Sequence, residues 1–228
     1  MSIPSGLSGS SAPSERTRVR RNALRAQYNQ QTILEVLRSH SLCTVAYVVA
    51  GEAAPRIIPQ LYFVEDNFLY LHGNRQSALL NHLLDGGEVA ISVLLVDGIV
   101  VARSGFYCSM NYRSVSLFGT GQLVEGAEKA AALDLFVEAL IPGHSKYARP
   151  PTSAESAATS VMRIPLGEMS AKIRAGDPGD PTEDLARDTW AGTIPAGYLM
   201  GNPVPSGDLK EGVHVPDYIK NVQFGGKS

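Results

Sequence analysis

Four short stretches of this 228-residue chain gather the residue types that handle anions, protons and planar rings. The first is Tyr70-Leu71-His72-Gly73-Asn74-Arg75-Gln76-Ser77, a strand end running into a helix start. A helix N-terminus presents free N–H groups and a positive partial charge, which suit a phosphate. Ser77 adds a hydroxyl donor, and Arg75 can add charge-assisted bonds worth roughly 1.5–3 kcal/mol. Ser77 serves equally well as a plain helix cap, and local chemistry does not separate the two roles. His72 closes the strand beside this site. It is either a satisfied structural histidine or, if a group binds at the helix start, within reach of that group.

The second stretch, Arg103 to Ser116, packs Asn111, Tyr112, Arg113 and Ser114 into the start of a strand. Alternation puts Tyr112 and Ser114 on one face and Arg113 and Val115 on the other. One face can line a ligand while the other joins the core or a partner subunit; the plain alternative is an ordinary polar strand start. The third stretch, Ser170-Ala171-Lys172-Ile173-Arg174, ends a strand with two cations. These are a solvated end, or a positive group beside a flavin ring that favours its reduced, anionic form. The fourth is Trp190-Ala191-Gly192, where Trp190 either anchors a loop-rich tail or walls a planar ligand. Hydrolase chemistry finds no support, because G-x-S-x-G is absent. The five histidines show no short metal-ligand spacing, so no metal site is expected.

The elements that must position these residues follow from pattern and composition. Hydrophobic residues make up 44% and charged residues 18%, an ordinary globular mix with a net charge of −2. No global field therefore draws nucleic acid or an anionic membrane. Arg16, Arg18, Arg20, Arg21 and Arg25 form a local basic run without interleaved aromatics, so a lead-in packed on the domain is preferred to a nucleic-acid contact. Two cysteines, Cys43 and Cys108, make no disulfide framework, the N-terminus has no apolar signal core, and no apolar run spans a bilayer. A cytoplasmic protein is expected. Three regions are expected: a disordered arm over 1–20, a domain over 21–195 and a loop-rich tail over 196–228.

Asn29 caps a helix through Ser39. Strands are expected over Leu42–Ala50, Arg56–Val64 and Phe68–His72, an antiparallel meander. A helix over Ser77–Leu84 closes at Gly86-Gly87. Glu88–Val96 is nearly all apolar and reads as a strand buried on both faces. Asp97-Gly98 is a hairpin turn or a bend. A strand over Asn111–Leu123, a helix over Ala127–Leu140 and one long strand over Ser160–Arg174, bent at Pro165 and Gly167, complete the domain. The Gly119-Thr120-Gly121 run lies inside a strand and is no dinucleotide fingerprint. About six strands with a few helices make a mainly β fold with α decoration, a barrel.

Five segments in order, Leu69–Gly73, Val96–Ser104, Asn111–Val115, Ser170–Arg174 and Trp190–Gly192, resemble the pyridoxamine 5'-phosphate oxidase-like flavin-nucleotide-binding proteins, the group that includes nitroimidazole-resistance reductases. The resemblance runs from about Arg21 to Pro195. It implies an FMN-binding split β-barrel, a homodimer and FMN in the groove between subunits. By the same resemblance Arg56-Ile57-Ile58-Pro59 is the strand along the flavin and its phosphate, Ser77 a phosphate ligand and His72 the flavin-side histidine, the candidate catalytic residue. Gly73, Asn111, Tyr112, Arg113, Ser114, Lys172 and Trp190 complete the expected cofactor-binding set. Two departures stand out. Cys108 replaces a histidine common in the family, and the tail after Trp190 lacks the arginine and histidine of true vitamin B6 oxidases. The expected function is an FMN-dependent oxidoreductase of a small compound, nitroaromatic among the options, with NAD(P)H as donor. The rival is a non-catalytic flavin- or haem-binding module.

Overall fold

A computed structural model describes residues 11–222. In chain order its first half holds β1 (Ala26–Gln27), α1 (Gln30–Arg38), β2 (Leu42–Tyr47), β3 (Arg56–Glu65), β4 (Phe68–Asn74), α2 (Ala78–Leu84) and β5 (Glu88–Val101). The second half holds β6 (Ser109–Thr120), β7 (Gln122–Val124), α3 (Gly126–Leu140), α4 (Ser153–Ala158), β8 (Thr159–Pro165), β9 (Glu168–Arg174), β10 (Gly192–Pro195) and α5 (Asp217–Lys220). Asn29 caps α1 as expected, its side chain accepting from the Thr32 N–H at 3.1 Å.

All pairings are antiparallel, in the order β1-β9-β6-β5-β2-β3-β4-β8-β7, with β10 added to β5. The expected meander is present, and β3 is its pivot. Its first half pairs with β2 from Arg56 to Leu61, and its second half pairs with β4 from Tyr62 to Glu65. The sheet splits there, giving the mainly β split barrel expected from the sequence. Alternate residues fill the interior: Val45 from β2, Tyr62 from β3, Leu69 and Leu71 from β4, Val89, Ile91 and Val93 from β5, and Leu117 from β6. Ile33 and Leu37 of α1 and Leu79, Leu80 and Leu83 of α2 join the same core. Each such buried side chain contributes roughly 1.5–3 kcal/mol. A second cluster forms under α3, where Phe63 stacks on Tyr70 and meets Phe136 edge-on, both at 4.6 Å.

Several expectations need correction. β5 is not buried on both faces; burial alternates along it, leaving Ser92, Leu94 and Val96 outward. Asp97-Gly98 is neither hairpin turn nor bend, but a bulge inside β5 where the register shifts against β6. A Cβ at Gly98 would lie 2.8 Å from the Ile194 carbonyl, so β10 can approach β5 only over a glycine. Ser160–Arg174 is two strands, because β8 pairs with β4 and β7 while β9 pairs with β6 and β1. Asn111–Leu123 likewise divides into β6 and β7. Ten strands, not about six, are present among the described residues. The glycines of Gly119-Thr120-Gly121 mark close approach: Cβ atoms there would meet Ile164 and Met162 at 2.9 and 2.8 Å.

The lead-in is fixed to the barrel by one arginine. Arg16 bonds both Glu88 and Glu168 and lies 4.5 Å over the Phe118 ring, while Thr17 is buried. Of the expected arm, residues 1–10 lie outside the described residues, as do 223–228 of the tail. Among the described residues no helix is long and apolar enough to cross a membrane, and no cluster of potential metal ligands of three or more residues occurs.

Candidate functional site

The expected site residues fall on three parts of the barrel. The first is the outer sheet face. Ile57 and Pro59 point outward from β3, Ile57 being 64% exposed. Pro59 faces Thr44, Thr44 faces Ser92, Ser92 faces Ser116 and Ser116 faces Ser170, a row of small side chains across the strands. The next row carries Leu94, Ser114 and Lys172, and the one beyond carries Val96 and Tyr112. Ser114 donates to the Lys172 carbonyl at 3.2 Å. The Lys172 ammonium has no hydrogen-bond or ion-pair partner among the described residues. Ile57, Pro59, Tyr112, Ser114 and Lys172 thus share one face, as alternation predicted for Tyr112 and Ser114.

Arg56 and Ile58 turn the other way. Ile58 packs on the barrel core. Arg56 lines a cavity of about 470 Å³ with Val48, Ala78, Asn81 and His82, which brings it to the start of α2. Its guanidinium is held by Glu52, with Nε to Oε2 at 2.9 Å, and this pair raises the arginine's pKa. The Ser77 side chain makes no capping bond to α2, so its hydroxyl is open to another acceptor. Ala78, the residue after Ser77, lines the same cavity as Arg56.

Asn111 and Arg113 lie at the far end of β6 and are fully engaged inside the chain. Arg113 grips Asp97 at the β5 bulge, Nε at 3.0 Å and Nη2 at 2.8 Å, and reaches Ser39 at 3.4 Å. Asn111 is buried, accepts from Arg174 and donates to the Gly176 carbonyl at 3.1 Å. These two residues build scaffold. Trp190 is 63% exposed and packs near Gly192, which faces Val101 at the end of β5. Arg56 faces Tyr47 at the opposite end. From Ala90 to Val101 the strand rises roughly 35 Å, so one chain does not bring Trp190 to Arg56.

His72 occupies the third place. It sits on the α3 side of β4, and its ring lies 4.1 Å from that of Phe136, centroid to centroid. The β3–β4 ladder ends one residue earlier, at Tyr62–Leu71, and the Gln60 side chain bridges the gap by donating to the His72 carbonyl. Gly73 faces the interior instead, where a Cβ would touch Leu80. The His72 ring lines a cleft of about 610 Å³ with Leu133, Phe136, Val137, Pro150 and Pro151 as apolar wall. That volume lies within the range of small-molecule and cofactor pockets, roughly 300–1,000 Å³. Asp134, Ser145, Arg149, Glu155 and Thr159 supply its polar groups. Burial lowers the His72 pKa, so the imidazole is neutral at pH 7. Its Nδ1 is buried with no hydrogen-bond partner. An orphaned buried nitrogen costs about 1–3 kcal/mol, which a bound group would recover. His72 and Arg56 line separate cavities with no residue in common. The cleft's other wall, Ser145 to Thr159, escaped the sequence reading. Its one local signal is Arg149-Pro150-Pro151-Thr152 ahead of a capping box closed by Glu155.

Comparison with known proteins places this geometry. Residues 29–173 match the sequence profile of a family described as pyridoxamine 5'-phosphate oxidase. Among solved structures, flavocytochrome Anf3 from Azotobacter vinelandii is 35% identical, with a TM-score of 0.86, over 94% of this chain and 99% of that one. An FAD- and haem-binding protein from Mycobacterium smegmatis is 32% identical, with a TM-score of 0.82, over 88% and 98%. A 5-nitroimidazole resistance protein from Bacteroides thetaiotaomicron is 22% identical, with a TM-score of 0.51, over 65% and 86%, a likeness of fold alone. No curated protein matches the sequence.

Proposed function

The chain belongs to the pyridoxamine 5'-phosphate oxidase family, and on that footing we propose a two-cofactor redox protein. A flavin nucleotide lies on the outer barrel face between two copies of the chain, and a haem lies in the cleft beside His72. The observation that carries this reading is the buried, unpartnered Nδ1 of a histidine that lines a cleft with an apolar wall. Neutral imidazole is the form that ligates iron, and Leu133, Phe136, Val137, Pro150 and Pro151 suit the flat apolar faces of a tetrapyrrole. The end-to-end likeness to a flavocytochrome and to an FAD- and haem-binding protein supports the same pairing. It also favours FAD over the FMN expected from the sequence. A nitroaromatic substrate draws no comparable support from a fold-level likeness.

A flavin handles two electrons and a haem one, so the pair would couple a two-electron donor such as NAD(P)H to one-electron chemistry. The chain's own residues have separable parts in this. Arg56 leaves Glu52 for a flavin phosphate, helped by the Ser77 hydroxyl. Lys172 supplies positive charge on the outer face. His72 holds its side of the haem and stays deprotonated because burial disfavours its charged form.

Two copies complete the flavin site. Ile57, Leu94 (54% exposed), Ile99, Met110 and Ile194 leave a broad apolar area on the same sheet face. Patches of this extent mark an interface. The small Ala46, Ala90, Ser92 and Ser116 let a second sheet approach closely. A two-fold axis running across the strands would set the Trp190 end of one copy over the Arg56 end of the other. The test is identification of the chromophores released from the purified protein, with light scattering on the same sample. FAD and haem from a dimer are expected; a monomer, or a protein that takes up flavin but no haem, contradicts the reading.

A further inference from the structure

We infer that Arg149 is the anion anchor of the His72 cleft, exchanging its contact with Glu155 for a carboxylate of the group bound there. The inference rests on the haem reading above and goes beyond it by assigning the mouth of the cleft. Arg149 lines the same cleft as His72. Its guanidinium is 66% exposed and meets Glu155 through Nη1 to Oε2 at 2.8 Å and Nη2 to Oε1 at 2.6 Å.

Three features make this arginine suited to the exchange. First, the existing pair lies at the surface, where solvent screens it and leaves the guanidinium free to exchange partners. Second, Glu155 has another partner besides Arg149. It also accepts the Thr152 N–H at 2.8 Å, while the Thr152 hydroxyl accepts the Glu155 N–H, so the cap of α4 survives the exchange. Third, the arginine is carried on a stiff strip. Pro150 and Pro151 fix two φ angles, and a residue before proline is held extended. The strip is fastened at one end by Tyr147, stacked on Tyr218 at 4.9 Å, and at the other by the Thr152 capping box.

The charges of the cleft give the exchange its purpose. Asp134 and Glu155 are the acidic groups of its lining, and His72 is neutral at pH 7. Arg149 is the one permanent cation in that lining. Asp134 and Glu155 would repel a ligand's carboxylates, so it orients with its acids toward Arg149 and its apolar body toward Phe136 and Leu133. Guanidinium–carboxylate pairing is bidentate by geometry, which would fix the rotation of a flat ring system within the cleft. The ligand class is therefore a planar apolar ring system with a carboxylate edge, and haem is one.

The test is titration of the haem-free full chain with haem and with haem dimethyl ester, which lacks free carboxylates, followed by the Soret band. Wild type, Arg149→Met, Arg149→Lys and His72→Ala are compared. Arg149→Met is expected to weaken haem at least tenfold, leave the dimethyl ester unchanged and leave flavin binding and melting temperature intact. Arg149→Lys is expected to recover part of the loss. Equal affinity of wild type and Arg149→Met for haem, or an equal loss for haem and its ester, overturns the anchor while the haem reading stands. A wild-type chain that binds neither form, or a His72→Ala variant that binds haem as well as wild type, overturns the haem reading and with it this inference.

Discussion

The base of β6 and the seam beside β4 differ in how far their polar side chains are paired within the chain. At the base of β6, Arg113 bonds Asp97 and Ser39, while Asn111 bonds Arg174 and the Gly176 carbonyl, so the β5 bulge and the loop after β9 are both tied to β6 and Arg174 Nε alone of these groups is left unpaired. At the seam, His72 keeps a buried nitrogen without a partner, and Ser77 leaves its hydroxyl uncapped. Both regions looked like ligand-binding polar clusters in the sequence. The difference teaches that an open hydrogen-bonding group points to a ligand where its residue also lines a cleft, as His72 does.

The comparison breaks most directly on stability. Asn111→Ala removes one partner of the buried Arg174 guanidinium and should lower unfolding free energy by about 2 kcal/mol, read by urea denaturation. Flavin and haem content per folded chain should not change. A variant that folds normally but loses flavin would return Asn111 to the cofactor site.

Arg56→Ala should do the reverse. Its pair with Glu52 is exposed and adds little to stability. Flavin-nucleotide binding should weaken about ten- to a hundredfold through lost charge-assisted bonds, roughly 1.5–3 kcal/mol. Riboflavin, which lacks the phosphate, should bind mutant and wild type alike by fluorescence titration. Equal losses for both ligands would place Arg56 in the scaffold.

The smallest effect is on pH. His72 and His40 both have pKa values lowered from 6.5 by burial. The unfolded chain then binds more protons than the folded one between each lowered value and 6.5. Stability of the cofactor-free protein should therefore rise with pH through that window and be lost as pH falls below 6.5. His72→Asn should flatten this dependence in paired urea titrations at pH 7.5 and 5.5, about one unit either side. An unchanged slope would show that His72 is not buried in its neutral form.

Local physics made much of the fold legible. The Asn29 cap, the β2–β4 meander and α2 with its closing glycines depend on neighbours a few residues away. The division of Ser160–Arg174 into β8 and β9 did not show, because it is set by pairing with β4 and β6, which no local pattern announces. The apolar run of β5 was ambiguous for a related reason. A strand buried on both faces of a barrel and a strand with one exposed apolar face write the same sequence. The shared face of Tyr112 and Ser114 was legible because strand parity fixes it, and the place of Ser77 at the start of α2 because a strand-to-helix junction fixes it. The His72 cleft was missed as a separate site, since α3 and the Ser145–Thr159 wall reach it from far along the chain.

The central claim is that His72 holds a haem in a cleft apart from the flavin, and replacing that one side chain tests it. His72→Gly should purify with its flavin bands intact and its Soret band lost. Added imidazole, filling the space left by the ring, should restore the Soret band when haem is supplied. A His72→Gly protein that keeps its haem unaided, or one that loses flavin instead, would contradict the account.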